Sequence, residues 1–365
     1  MAISRKKRIF AAAALLALAV SAAALATFCG KTLHGPGAVK IDPYYITGSG
    51  GNRENLRDLF TLLAADNNTA ESAFAVVREI ANSFAKEGEY GKLIHFLSER
   101  TINFPDDPYN GYYLLMIAYA YMQQDSLPVA AQYFGLIVKN YPDLTVSGES
   151  IHLACLEKLI ELTDNPAQQV WYYQELISRF SDRINPGLSW FMLAQACERT
   201  GDWSGAIQAY TRFLPYTGTV IPGFPNADNY ARQQVDFNNS PKDWTYESLP
   251  ALLSAVQEAL DTGNPRQLRL CQAKVNFFSR SWGQGETDDS GMADFNLSDF
   301  MRGNRIRYED KFDSSSNATE ALLRTWGWSQ YISTWYLYFR KIYFPSDPEI
   351  HGRWEWAGVY YGEKF

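Results

Sequence analysis

The sequence predicts an α+β protein. An amino-terminal all-α series of helical hairpins is followed by an α+β domain built on a curved antiparallel sheet. Three observations predict it. Apolar residues fall three or four apart throughout 53–216, and they do so in a pattern that repeats. Pro, Gly and Asn then interrupt the helical period over 217–244. The segments that follow are dense in aromatic and β-branched residues, which suit a pleated and half-buried surface. The 365 residues are 46% hydrophobic and 20% charged, a balance that excludes wholesale disorder. The net charge is −7. A nucleic-acid partner is not expected, because phosphate binding needs a basic surface.

The first element is an address. Arg5, Lys6, Lys7 and Arg8 precede a run from Ile9 to Phe28 that carries no charge. As a helix this run spans ~30 Å, the thickness of a bilayer core. Residues 1–28 therefore read as a signal peptide or membrane anchor, and three routes stay open. Ala24-Leu25-Ala26 offers a small-x-small cleavage site. Cys29 resembles the acylated cysteine of bacterial lipoproteins. An uncleaved run would stay as an anchor, with its basic flank in the cytoplasm. All three export the body of the chain, and the place expected is the cell envelope, periplasmic or on the outer face, with a membrane or lipid anchor. Residues 29–52, with His34-Gly-Pro-Gly37 and Gly48-Ser-Gly-Gly51, read as a flexible tether.

Over 53–216 the pattern is self-similar. Leu114-x-x-Ile117-Ala118-x-x-Tyr121 precedes Ala130-x-x-x-Phe134-x-x-Ile137, and Trp190-x-x-Leu193-Ala194-x-x-Cys197 precedes Ala206-x-x-x-Tyr210-x-x-Phe213. An earlier copy runs Val77-x-x-Ile80-Ala81-x-x-Phe84 and then Gly88-x-Tyr90. A looser copy holds Leu153, Leu156, Tyr173 and Leu176, with Glu157 and Gln169 at the positions where alanine is expected. The equivalent positions Ala81, Ala118, Glu157 and Ala194 lie 37, 39 and 37 residues apart. This array resembles the tetratricopeptide repeat (TPR) family, as found in bacterial envelope members, with a period slightly longer than usual. The resemblance implies a stack of helix pairs whose first helices line a groove that accepts a protein or peptide segment. In this sequence the groove face would carry Arg78, Asn82, Tyr112, Tyr119, Lys158, Phe191, Gln195 and Arg199.

Residues 217–244 read as an irregular connection, and 245–365 as an aromatic-rich domain. Glu247 to Leu260 is an amphipathic helix ended by Gly263-Asn264-Pro265. Candidate strands are 305–312, 322–328, 334–344 and 353–362, the last two pairing antiparallel. The order of these elements and the closing Gly352-Arg-Trp-Glu-Trp-Ala-Gly-Val-Tyr-Tyr361 resemble the NTF2-like cone. That resemblance implies a pocket between helix and sheet. Alternation would point Trp354, Trp356 and Tyr360 to one side, as pocket lining or as core.

No phosphate-cradling loop, nucleophile elbow or paired-histidine zinc motif is present, so no catalytic residue, cofactor or metal site is expected. Glu286, Asp288 and Asp289 sit close together in the loop 283–291, but without the closing glutamate of an EF-hand they read as a solvated turn. An acid–base pair such as Asp299 with Tyr336 rests on pocket analogy alone. The function expected is that of an exported, membrane-associated TPR scaffold mediating protein–protein interaction. The alternative is a ligand-binding accessory protein, for a small molecule or glycan and associated with a transporter, using the carboxy-terminal domain.

Overall fold

The computed structural model describes residues 41–216, 218–282 and 295–364. The address segment, Cys29 and the acidic loop 283–291 lie outside the described residues. Among those residues the chain is mixed α+β: 13 α-helices, mostly in an amino-terminal series, and then a five-stranded sheet. It forms two compact units, Met1–Thr163 and Asp164–Phe365.

The first unit holds α1 (Gly50–Leu63), α2 (Ala70–Lys86), α3 (Tyr90–Asn103), α4 (Asn110–Gln123), α5 (Leu127–Asn140), a small antiparallel ribbon of β1 (Thr145–Val146) and β2 (Glu149–Ser150), and α6 (Ile151–Leu162). Local chemistry sets the helix starts. Ser49, Thr69 and Ser150 cap α1, α2 and α6 by accepting the N–H of Asn52, Ser72 and Leu153. Each helix packs on its successor, and α2 also touches α4, as α4 touches α6. Contact between alternate helices is what stacking of successive hairpins produces. The small residues placed at the crossings are buried here, with Ala81, Ala118 and Ala130 all at 0% exposure.

The chain from Asp42 onward is not a loose tether. Pro43–Tyr45 forms a 3-10 turn, and Tyr45, 6% exposed, packs its ring among Phe60, Phe84 and Phe96. Burying that ring outweighs the flexibility of the glycine-rich sequence around it.

The second unit begins with α7 (Pro166–Phe180), α8 (Pro186–Thr200) and α9 (Trp203–Phe213). Pro166 and Pro186 occupy first-turn positions, where a missing N–H costs nothing. A further helix, α10 (Ala227–Asn239), lies within the stretch read as irregular and packs on α9. Its buried residues are Ala227, Ala231, Val235 and Phe237, with one large ring among them, a weak signal against the prolines before it.

After α10 come α11 (Leu249–Asp261), α12 (Pro265–Cys271), β3 (Phe278–Ser281), the short α13 (Leu297–Met301), β4 (Arg307–Tyr308), β5 (Glu320–Trp326), β6 (Trp335–Lys341) and β7 (Trp354–Tyr361). The sheet order is β3-β7-β6-β5-β4. β6 and β7 pair antiparallel, as the sequence indicates, and so do the other pairs out to β4. The departure from an all-antiparallel sheet is β3, which joins the edge parallel to β7. A Cβ on Gly358 of β7 would fall 2.5 Å from the Phe278 ring, so the bare glycine is what lets β3 lie there.

Candidate functional site

Five of the groove candidates, Arg78, Asn82, Tyr112, Tyr119 and Lys158, lie in the first unit on α2, α4 and α6. Phe74, Arg78 and Asn82 form an i, i+4, i+8 stripe on α2. The Phe74 ring stacks on Tyr109 at 4.1 Å and 14°, and takes the edge of Tyr112 at 5.2 Å. The Arg78 guanidinium lies 5.7 Å from the same ring. Burial pushes the Tyr112 hydroxyl up from its ordinary pKa, and the charge of Arg78 opposes that shift. Tyr119, two turns along α4, packs edge-on to Phe134 at 5.5 Å. Its hydroxyl is pushed up to about 12 by burial, with Cys155, Glu157 and Glu161 of α6 adding to the shift. Lys158 is half-buried on the same helix and pairs with Glu161 at 2.8 Å. Asn82 is half-buried, and its Oδ1 has no hydrogen-bond partner among the described residues.

This arrangement is a row of rigid, partly buried rings flanked by charges of both signs. Such a surface can hold an extended segment by ring contact and hydrogen bonding. Phe74 and Tyr109 belong to it and were not among the sequence candidates. Phe74 could have been found from its four-residue offset to Arg78. Tyr109 stands at the helix boundary, outside the repeat pattern, and carries no such signal.

The remaining groove candidates lie in the second unit. Phe191 is a correction. It is 0% exposed and meets Tyr210, Phe213 and Phe224 at 5.2–5.6 Å, so it is core between α8 and α9 rather than groove lining. A large ring facing the second helix of its own hairpin gains more by burial there than by exposure. Gln195 donates to Glu198 at 3.1 Å and also to the Tyr210 hydroxyl. Arg199 is exposed and donates to Gln169. Glu198 accepts the Tyr230 hydroxyl at 3.0 Å, and burial raises its pKa against the lowering effect of these hydrogen bonds.

The pocket residues of the carboxy-terminal domain need a second correction. Trp354 and Trp356 are 7% and 0% exposed and belong to the same buried cluster as Leu252 and Val256 of α11 and Phe339 of β6. They are core. Tyr360 is on the other face of the sheet. Phe339 pairs with Trp356 while Tyr338 pairs with Gly358, which leaves Ala357 as an extra residue in β7. A β-bulge of one residue inverts the alternation beyond it. Val359 and Tyr361 thus continue the face of Trp354 and Trp356, while Tyr360 joins Phe278, Tyr338 and Trp282.

That second aromatic face is occupied by the chain itself. Trp282 stacks on Tyr360 at 4.2 Å and 8°, and Lys364 lies 5.5 Å from the Trp282 ring. Arg280 lies over Phe278 and donates to the Tyr360 hydroxyl at 3.1 Å. Tyr336 lies on this face too, 4% exposed and in edge contact with Trp282, whereas the partners of Asp299 are Asn296 and Arg302. The structure does not join Asp299 and Tyr336 as an acid–base pair.

Among the described residues, no group of three or more His, Cys, Asp or Glu side chains gathers as a metal site requires. No helix of the described residues is long and apolar enough to cross a membrane. No protein-family model matches the chain, and no curated protein matches it.

Proposed function

We propose that this chain is an exported, membrane-held scaffold of the TPR type that grips a segment of another protein along α2, α4 and α6. One observation carries the reading: the half-buried cluster of Phe74, Tyr109 and Tyr112 with Arg78, continued along α4 by Tyr119. These rings are held in place by neighbours but keep part of their surface open, so a partner gains contact area without paying to order them. The basic flank and apolar run of residues 1–28 supply the export signal, and Cys29 is the residue for lipid attachment if the lipoprotein route is used.

The test places a photoreactive phenylalanine analogue at Tyr112 or Tyr119 in living cells, with exposed Leu62 of α1 as the reference position. One discrete crosslinked protein at 112 and 119, and none at 62, is the expected outcome. Equal crosslinking at all three positions, or none at any, would remove the groove as a docking surface. Mass spectrometry of the mature amino terminus decides separately among cleavage, acylation and retention.

A further inference from the structure

In the second unit, the turn between α7 and α8 and the end of α9 surround an open hollow of about 470 Å³. This is within the range of small-molecule sites, roughly 300–1,000 Å³. Local sequence builds it. Asn185 caps α8 by accepting the Leu188 N–H at 3.0 Å, which puts Pro186 in the first turn and Trp190 one turn further on the same side. Asp182 follows the end of α7, Arg212 stands in the last turn of α9, and Tyr216 closes the 3-10 turn after it.

The lining carries an acid, a base, a hydroxyl and an indole. Among the described residues, neither the Asp182 carboxylate nor the Arg212 guanidinium has an ion pair or hydrogen bond. The Ser181 hydroxyl and the Trp190 indole N–H have no hydrogen bond either, and the Trp190 ring has no aromatic neighbour. Some charged groups elsewhere in the same unit are engaged, and others, such as Arg232 and Asp236, stand open as these do. Arg340 holds Glu355, Arg324 holds Glu363, and Trp282 stacks on Tyr360 with Lys364 near its ring.

The geometry points to this hollow as a binding site for a neutral, polyhydroxylated ring, that is, a saccharide. An anion would face Asp182 and a cation would face Arg212, so neither is favoured alone. A sugar hydroxyl both donates and accepts. The several hydroxyls of one ring can thus serve a carboxylate, a guanidinium and an indole N–H. The C–H face of a pyranose is apolar and packs on an indole, phenol or proline ring. The site is distinct from the α2–α4–α6 surface and does not depend on it.

The test uses the full chain in a detergent without a sugar head group, applied to an array of immobilised neutral di- and trisaccharides. Retained compounds are then titrated by calorimetry. At least one saccharide is expected to be retained. Asp182→Asn, Arg212→Ala and Trp190→Ala should each weaken it tenfold or more, while Trp171→Ala, an exposed ring of α7 outside the hollow, should leave it unchanged. The first two changes are at exposed positions, so they report on binding even if loss of Trp190 perturbs the fold. The assignment is overturned if no saccharide is retained. It is equally overturned if the three variants bind as the native chain does, or if a zwitterionic dipeptide such as Lys-Glu binds where saccharides do not.

Discussion

Glu355 accepts the indole N–H of Trp244, 111 residues earlier in the chain, at 2.8 Å through one carboxylate oxygen. Through the other it accepts the Nε–H of Arg340, also at 2.8 Å. Glu355 is 1% exposed and Trp244 0%, whereas the Arg340 side chain keeps 37% of its surface. The pair ties the segment ahead of α11 to β7, the neighbour of the sheet's central strand.

That asymmetry fixes the order of mutational cost. Arg340→Ala leaves a buried carboxylate with the indole alone and should cost about 3–5 kcal/mol. Glu355→Ala strands the Trp244 N–H but leaves an arginine that water can reach, so about 2–3 kcal/mol is expected. Denaturant titration of the two variants checks the order.

Three of the turns between helices use a residue of positive φ at Gly88 (+74°), Asp125 (+59°) and Gly201 (+78°). Asp125 is the one of the three with a side chain, in a region that glycine enters without steric cost. Asp125→Gly should therefore stabilise the first unit by about 0.5–1 kcal/mol, read as a rise in Tm.

The Tyr45 hydroxyl donates to Glu99 Oε2 at 2.7 Å and lies 2.7 Å from His95 Nδ1. Tyr45→Phe keeps the ring packing and removes these bonds. The expected loss is about 0.5–1.5 kcal/mol, with amide exchange faster in 42–46 than in α4.

Burial holds the Glu198 proton more tightly in the folded chain than in the unfolded one. Stability conferred by that proton is present at low pH and is lost as pH rises from the ordinary carboxylate value through the raised one. Glu198→Gln should then raise Tm at pH 7, and the gain should shrink towards zero below about pH 4. A Tm-versus-pH series for the two proteins reads this directly.

On the proposed docking surface, Tyr112→Ala and Arg78→Glu should each reduce recovery of the crosslinked partner about tenfold, the weight of a central aromatic or arginine contact. Circular dichroism is expected to stay unchanged, because both side chains are half-buried rather than core.

How much of this was legible beforehand depends on the range over which each feature is decided. The helices were legible because apolar spacing, caps and first-turn prolines act within a few residues, and the buried alanines recur where the spacing puts them. The third copy shows the limit. Its Glu157 is exposed, the small buried residue of α6 is Cys155, and the turn after α6 has no residue of positive φ. The division between the two compact units falls at that turn, after Thr163.

By itself the sequence determined the α+β order, the helical series and the antiparallel pairing of the last two strands. Only tertiary structure decided that Phe191, Trp354 and Trp356 are core, that β3 joins the sheet in parallel, and that Tyr360 faces away from the tryptophans. Each of these depends on a partner far along the chain. The bulge at Ala357 exists because Phe339 and Tyr338 pair with Trp356 and Gly358, and Gly358 leaves room for the ring of Phe278. Alternation along one strand is a local rule, and it holds only until a neighbouring strand inserts a residue into the count.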